Sequence, residues 1–308
     1  MTEPFVREWG RGQPVVAMAP LGLDSSAFAA LGELLAARGM HTLAVDLPGF
    51  GRTPAPAEPL TPAVLAAPVI ALVRSLDVPP VVLGISLGGR IALEVALAAP
   101  DAVRAVVPIA PYLPWRRGRC LLAWARALDP AAAAWLPLER VWPGLRWLAY
   151  ALERVPYVRD DALAQAAARF VYYLSCPATR VAFLSAAREL ALDPAEGPDA
   201  LWARLAGLRM PAAFVWGERD QLVSLRFAKA VARACSPVEQ ILLPCVGHWL
   251  NGPHHRCLAE TIADLVPALL LPPAVRRLRV RAGALSVRPC VAAAGVPAAA
   301  ALAEAEHV

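Results

Sequence analysis

No stretch constrains this chain's fold as tightly as Val81-Val82-Leu83-Gly84-Ile85-Ser86-Leu87-Gly88-Gly89. An apolar run rich in β-branched residues predicts a buried strand, and Ile91, Val95 and Ala99 continue at helical spacing. Strand, sharp turn and helix therefore meet at Gly-x-Ser-x-Gly. A turn this tight forces Ser86 into a strained backbone conformation and presents its hydroxyl at the end of a sheet. It crowds the positions two before and two after the serine, where Gly84 and Gly88 carry no side chain to clash. Leu87 opens the helix, so its N–H has no partner in a preceding turn and is able to meet an anion. Alone, the same five residues also suit a strand-to-helix turn with an inert serine, so a base and an acid must be sought elsewhere.

The flanking sequence repeats the strand-helix alternation. Residues 5–9, 15–19, 41–47 and 103–110 read as further strands. Asp24 or Ser25 caps a helix carrying Phe28, Leu31, Leu34 and Leu35, which Gly39 ends. A helix over about 61–76 precedes the Ser86 strand. The order βαβαβαβ predicts an α/β fold, a mostly parallel sheet covered by helices on both faces. From 112 to 205 strands give way to helical spacing broken by prolines. Six of the nine tryptophans fall there: Trp115, Trp124, Trp135, Trp142, Trp147 and Trp202. Most such rings pack helices together, but their density suggests that some line an apolar cleft. Trp115, Trp142 and Trp249 are the candidates. The α/β pattern resumes with a strand over 212–216, a helix near 225–234, a strand over 240–244 and a helix over 257–270. Pro272-Pro273 ends it. Residues 272–308, basic and then alanine-rich, are expected to be a poorly ordered tail.

Composition excludes several function classes. The chain has 308 residues, 58% of them hydrophobic, enough for one large core. Alanine inflates that fraction, and the longest apolar runs are too short to cross a bilayer. The first residues show no basic start followed by an apolar stretch, so no secretory signal and a cytoplasmic location are expected. The net charge is +5, but five arginines against two glutamates put +3 of it in residues 272–308. The body is nearly neutral, so nucleic-acid binding is not expected. Arg276 to Arg281 lack an amphipathic stripe, and no stable membrane anchor is expected. None of the six cysteines forms a Cys-x-x-Cys pair, which suggests reduced, mostly buried thiols. His254 and His255, adjacent in sequence, would point about 100° apart on a helix, so they make a poor metal pair. No metal or cofactor is implied, and oligomeric state is left open.

Ser86, Asp220 and His248 each lie just past the C-terminal end of a predicted strand. In an open parallel sheet those ends converge on one edge, where ligands bind. A serine hydroxyl is a poor nucleophile at neutral pH and needs a base within hydrogen-bond reach. His248 suits that role, because an imidazole titrates near the working pH. Asp220 would hold the imidazole tautomer and stabilise the imidazolium.

These segments, with Asp46-Leu47-Pro48-Gly49-Phe50-Gly51-Arg52-Thr53, Trp216-Gly217-Glu218-Arg219-Asp220 and Val246-Gly247-His248-Trp249, resemble the α/β-hydrolase fold family over residues 5–271. The resemblance implies that 1–111 and 206–271 form the hydrolase core and that 112–205 are an inserted helical cap, or lid. It also implies that Leu21-Gly22-Leu23-Asp24-Ser25-Ser26 is the oxyanion loop, with the Leu21 N–H as second donor beside Leu87. The family usually has His-Gly before that donor, where this chain has Ala19-Pro20. Pro20 removes one N–H and restricts Ala19, but leaves the Leu21 N–H in place. A serine at the elbow argues against haloalkane dehalogenase and epoxide hydrolase chemistry, which in similar proteins use aspartate.

These residues point first to a serine hydrolase for carboxylic esters of small to medium apolar substrates. A carbon–carbon bond hydrolase, lactonase or amidase would use the same three residues. A catalytically weak member that only binds an apolar ligand is the reading from a different class, and Ala19-Pro20 is its support.

Overall fold

A computed structural model describes residues 3–115, 124–127, 129–133, 177–220, 222–237, 239–244, 246–248, 255–271 and 285–288. Eight strands make one sheet: β1 Val6–Trp9, β2 Gln13–Met18, β3 Met40–Val45, β4 Val81–Ile85, β5 Ala105–Ile109, β6 Ala213–Gly217, β7 Glu239–Leu243 and β8 Leu285–Val287. Their order across the sheet is β1-β3-β2-β4-β5-β6-β7-β8. Only β1 runs against its neighbour, and the other pairs are parallel. Parallel neighbours need crossover connections. Helices α1 Ala29–Ala37, α2 Pro62–Ser75, α3 Leu87–Ala98, α4 Pro177–Leu192, α5 Leu201–Arg204, α6 Arg226–Ala234 and α7 His255–Leu270 lie between or after the strands.

Local chemistry sets several boundaries. The Asp24 side chain accepts the Ser26 N–H at a short 3-10 turn leading into α1, and Gly39, at φ +74°, ends that unit. The Thr61 hydroxyl accepts the Val64 N–H, and Pro62 occupies the first turn of α2, where its missing N–H costs nothing.

The core divides across the sheet. Val16, Val82, Val106, Phe214 and Leu242 pack with Leu65 and Val69 of α2, Ile91 and Val95 of α3, and Phe227 and Val231 of α6. Their sequence neighbours Val15, Ala17, Leu83, Val215 and Ile241 face the other way, onto Leu31 and Leu35 of α1 and Ile262 and Val266 of α7. Successive strand residues point to opposite faces, and both faces are covered. That is why the central strands read as continuous apolar runs.

The tail needs a correction. Residues 285–287 are not unstructured: they form β8, with Gln240 opposite Leu285 and Leu242 opposite Val287. The Ser286 hydroxyl donates to the Glu239 carboxylate at 2.9 Å, and the Arg288 guanidinium lies between Glu239 and Asp264. A strand so short has no detectable periodicity, and it is held by the open edge of β7. The remaining tail lies outside the described residues.

The described residues between 112 and 205 are helical or irregular, with no strand among them. Among the described residues, no helix is long and apolar enough to cross a membrane.

Candidate active site

The turn between β4 and α3 has the strain expected of it. Ser86 adopts φ +54° and ψ −112°, a region a non-glycine residue enters only when its surroundings hold it there. The holding groups are identifiable. The Ser86 N–H donates to the Ile109 carbonyl at 2.9 Å. The Ser86 carbonyl accepts the N–H of Arg90 and the N–H of Tyr112, each at 3.0 Å. The flanking glycines are sterically required: a Cβ on Gly84 would collide with the Gly88 carbonyl oxygen, and one on Gly88 with the Met18 carbonyl oxygen. Gly88→Ala is therefore expected to cost about 1–3 kcal/mol of stability as β2 and α3 are forced apart. Chemical denaturation of the variant beside wild type checks this, and an unchanged midpoint would contradict it.

Asp220 and His248 follow β6 and β7, which are neighbours in the sheet. After β6, the Glu218 N–H donates to Leu243 and the Arg219 N–H to Val246. A Cβ on Gly217 would stand 2.5 Å from the Val246 carbonyl oxygen. Glycine thus lets the loops after β6 and β7 touch, which brings Asp220 to His248. One Asp220 oxygen, Oδ1, accepts the N–H groups of Leu222 and Val223 at 2.9 and 2.7 Å. The other, Oδ2, is 2.8 Å from His248 Nδ1. His248 Nε2 is 2.9 Å from Ser86 Oγ. A carboxylate can only accept, so Nδ1 carries the proton and Nε2 is left to accept from the Ser86 hydroxyl. The Asp220 side chain is fully buried and that of His248 nearly so. Three residues 162 positions apart at the extremes thus form one hydrogen-bonded chain.

Beside it lies the loop after β2. The Met18 and Ala19 carbonyls abut Gly88, so this loop sits against the first turn of α3. Pro20 to Leu23 form a turn closed by the Leu23 N–H and the Pro20 carbonyl at 3.1 Å, with Gly22 at φ +79°. The buried Asp46 carboxylate anchors the far side, accepting the Ser25 N–H at 2.6 Å and the Arg52 N–H at 2.8 Å. Neither the Leu21 N–H nor the Leu87 N–H meets a backbone acceptor among the described residues.

Trp115 meets Trp202 and Phe227 edge-on, at ring-centroid distances of 6.1 and 5.4 Å, with the Arg226 guanidinium 5.9 Å from its ring. These contacts join the segment after β5 to α5 and α6. Trp142 and Trp249 lie outside the described residues. Burial pushes the Cys235 thiol up to about 11, so it stays protonated and unreactive at neutral pH.

Sequence reading missed a buried charge cluster behind the elbow. Arg90 donates to Glu94 at 2.7 Å and to Asp193 at 2.9 Å, and Glu94 also meets Arg204 at 2.6 Å. Burial opposes the Arg90 charge, but Asp193 and Glu94 more than offset it and its pKa rises. Burial likewise opposes ionisation of Glu94, yet the Arg204 hydrogen bonds and the Arg90 charge outweigh it and its carboxyl sits below the ordinary value. The four-residue spacing of Arg90 and Glu94 on one helix was the available signal.

The family model for the alpha/beta hydrolase family matches residues 15–263. The chain belongs to that family. As an alpha/beta hydrolase it is 29% identical, over 272 residues, to the pimeloyl-(acyl-carrier protein) methyl ester esterase of Chromobacterium violaceum, a match covering 84% of this chain and 96% of that one. The fold is shared with a thermophilic esterase from Thermogutta terrifontis, at TM-score 0.66 and 21% identity, covering 87% of this chain and 94% of that one. It is also shared with the enol-lactonase of Burkholderia xenovorans, at TM-score 0.65 and 20% identity, covering 86% and 96%.

Proposed function

We propose that this alpha/beta hydrolase cleaves carboxylic esters of small to medium apolar substrates through an acyl-enzyme on Ser86. The observation that carries the reading is the continuous chain from Ser86 Oγ through His248 to Asp220, at 2.9 and 2.8 Å. Ser86 Oγ attacks the ester carbonyl while its proton passes to His248 Nε2. Asp220 stabilises the imidazolium across the Nδ1–H bond. The tetrahedral oxyanion is met by the N–H groups of Leu87, at the positive end of α3, and of Leu21. The proton on Nε2 then goes to the departing alkoxide, and His248 activates a water to release the acid.

The curated relative supports an ester substrate, since its name specifies a methyl ester of an acyl group on a carrier protein. The Ala19-Pro20 departure is compatible with turnover, because the turn keeps the Leu21 N–H without a backbone acceptor. In this reading the segment over 112–205 is the lid, and the best acyl length reports the space beneath it.

The test is hydrolysis of p-nitrophenyl esters of increasing acyl length by wild type and by Ser86→Ala. Turnover that disappears in the variant is the expected result. A folded wild type that turns over none of these esters would reject ester hydrolysis and favour carbon–carbon bond cleavage or ligand binding alone.

A further inference from the structure

The two backbone N–H groups that hold the Ser86 carbonyl belong to Arg90 and Tyr112. The side chains of those same two residues grip one other place. The Tyr112 hydroxyl donates to the Leu190 carbonyl in the last turn of α4 at 2.6 Å. Arg90 Nε donates to Asp193, just past that turn, at 2.9 Å. The end of α4 is further held by Arg126, whose Nε donates to the Ala191 carbonyl at 2.8 Å. Leu21 packs against Ala187 and Ala191 of the same helix. The joint also carries backbone strain: among the described residues, the non-glycine positions with positive φ are Ser86 and Ala110, at +54° and +40°. Both lie on the path from β4 and β5 into Tyr112.

We propose that Tyr112 and Arg90 couple the C-terminal end of α4 to the elbow, so that the seating of this helix sets the position of Ser86. The idea rests on Ser86 being the nucleophile. A strained conformation persists only while its surroundings over-determine it. Here two of the three backbone bonds on Ser86 come from residues whose side chains are tied to α4. Release of α4 lets Arg90 and Tyr112 shift, and the Ser86 carbonyl moves with their N–H groups. Tyr112, Arg90 and Asp193 are thus positioning residues, acting through the main chain of Ser86 without touching substrate.

The test compares wild type, Tyr112→Phe and Asp193→Asn. Tyr112→Phe removes only the hydroxyl, and Asp193→Asn keeps the shape, so at least one folded variant is available. The probe is diethyl p-nitrophenyl phosphate, a small organophosphate whose phosphorus is attacked by Ser86 Oγ with release of p-nitrophenolate. The second readout is kcat and KM for p-nitrophenyl acetate. Coupling is expected to slow phosphorylation of Ser86 about tenfold in each variant and to lower kcat by a similar factor with KM nearly unchanged, because small misplacements of a reacting group cost rate steeply. If α4 is only a wall of the substrate site, KM and acyl-length preference move while the phosphorylation rate stays at the wild-type value, and the coupling is overturned. A wild type that fails to label at Ser86 would overturn the nucleophile assignment and the coupling with it. A labelled wild type with unaffected variants overturns the coupling alone.

Discussion

Asp220→Asn is expected to lower kcat for ester hydrolysis about 10⁴-fold at pH 7 while leaving the fold intact. The reason is the division of labour between the two carboxylate oxygens. Oδ1 accepts the Leu222 and Val223 N–H groups, and an asparagine carbonyl can keep both bonds. The amide nitrogen must then occupy the Oδ2 position, 2.8 Å from His248 Nδ1. Two donors cannot share that contact, so the imidazole moves its proton to Nε2. The ring nitrogen facing Ser86 Oγ is then a donor and no longer a base. Stopped assays of kcat, with circular dichroism to verify folding, decide the matter. A loss of less than about tenfold would mean that Asp220 serves mainly to cap the loop after β6. A loss accompanied by unfolding would mean that its backbone bonds dominate.

The second large effect is on stability. Arg90→Met is expected to cost about 3–5 kcal/mol, because it leaves Asp193 buried without its main ion-pair partner and removes one of the two cations that meet Glu94. Pairing Arg90→Met with Asp193→Leu should cost less than Arg90→Met alone, since no uncompensated carboxylate then remains at that position. Urea denaturation of wild type, each single variant and the double variant measures the coupling. Equal deficits in the single and double variants would contradict the ion-pair account. The effect also carries a pH signature. The folded-state pKa of Glu94 lies below its ordinary value of 4.5, so the unfolded chain binds its proton more readily. The stabilisation is therefore complete above about pH 4.5 and is lost as pH falls through the folded-state pKa. The deficit of Arg90→Met relative to wild type should narrow across that same fall, because the wild-type cluster itself is being dismantled.

Much of the site was legible in the sequence because its signals are short-range. Gly84 and Gly88 announced a turn whose crowding the structure explains by two backbone carbonyls, those of Gly88 and Met18. Ser86, Asp220 and His248 could be named because each stands just past an apolar run, and strand ends in a parallel sheet share one edge. The Leu21 loop was placed through family resemblance, but its support by the buried Asp46 carboxylate was not apparent. From sequence Asp46 reads only as the end of a strand that runs into a turn-rich loop.

What escaped the sequence has one physical character: it depends on which distant residues the fold brings together. Arg90 meets Asp193 across 103 positions, and Arg204 meets Glu94 across 110. No local pattern says that charges so far apart will be buried against each other. A tryptophan's sequence context likewise does not reveal its neighbours, and the edge-on contacts of Trp115 with Trp202 and Phe227 arise only once α5 and α6 are docked. Strand β8 was invisible because three residues carry no periodicity, and the unpaired edge of β7 gives them their conformation. The strand–helix order of apolar runs and the glycine sterics around Ser86 were enough to read the doubly covered sheet and the elbow, and to single out Ser86, Asp220 and His248 as candidates. The tertiary structure alone decided the 2.9 and 2.8 Å contacts that make those residues a chain, and the ties of Tyr112 and Arg90 to α4, since both require separate strands and helices to be docked before any of the groups can meet.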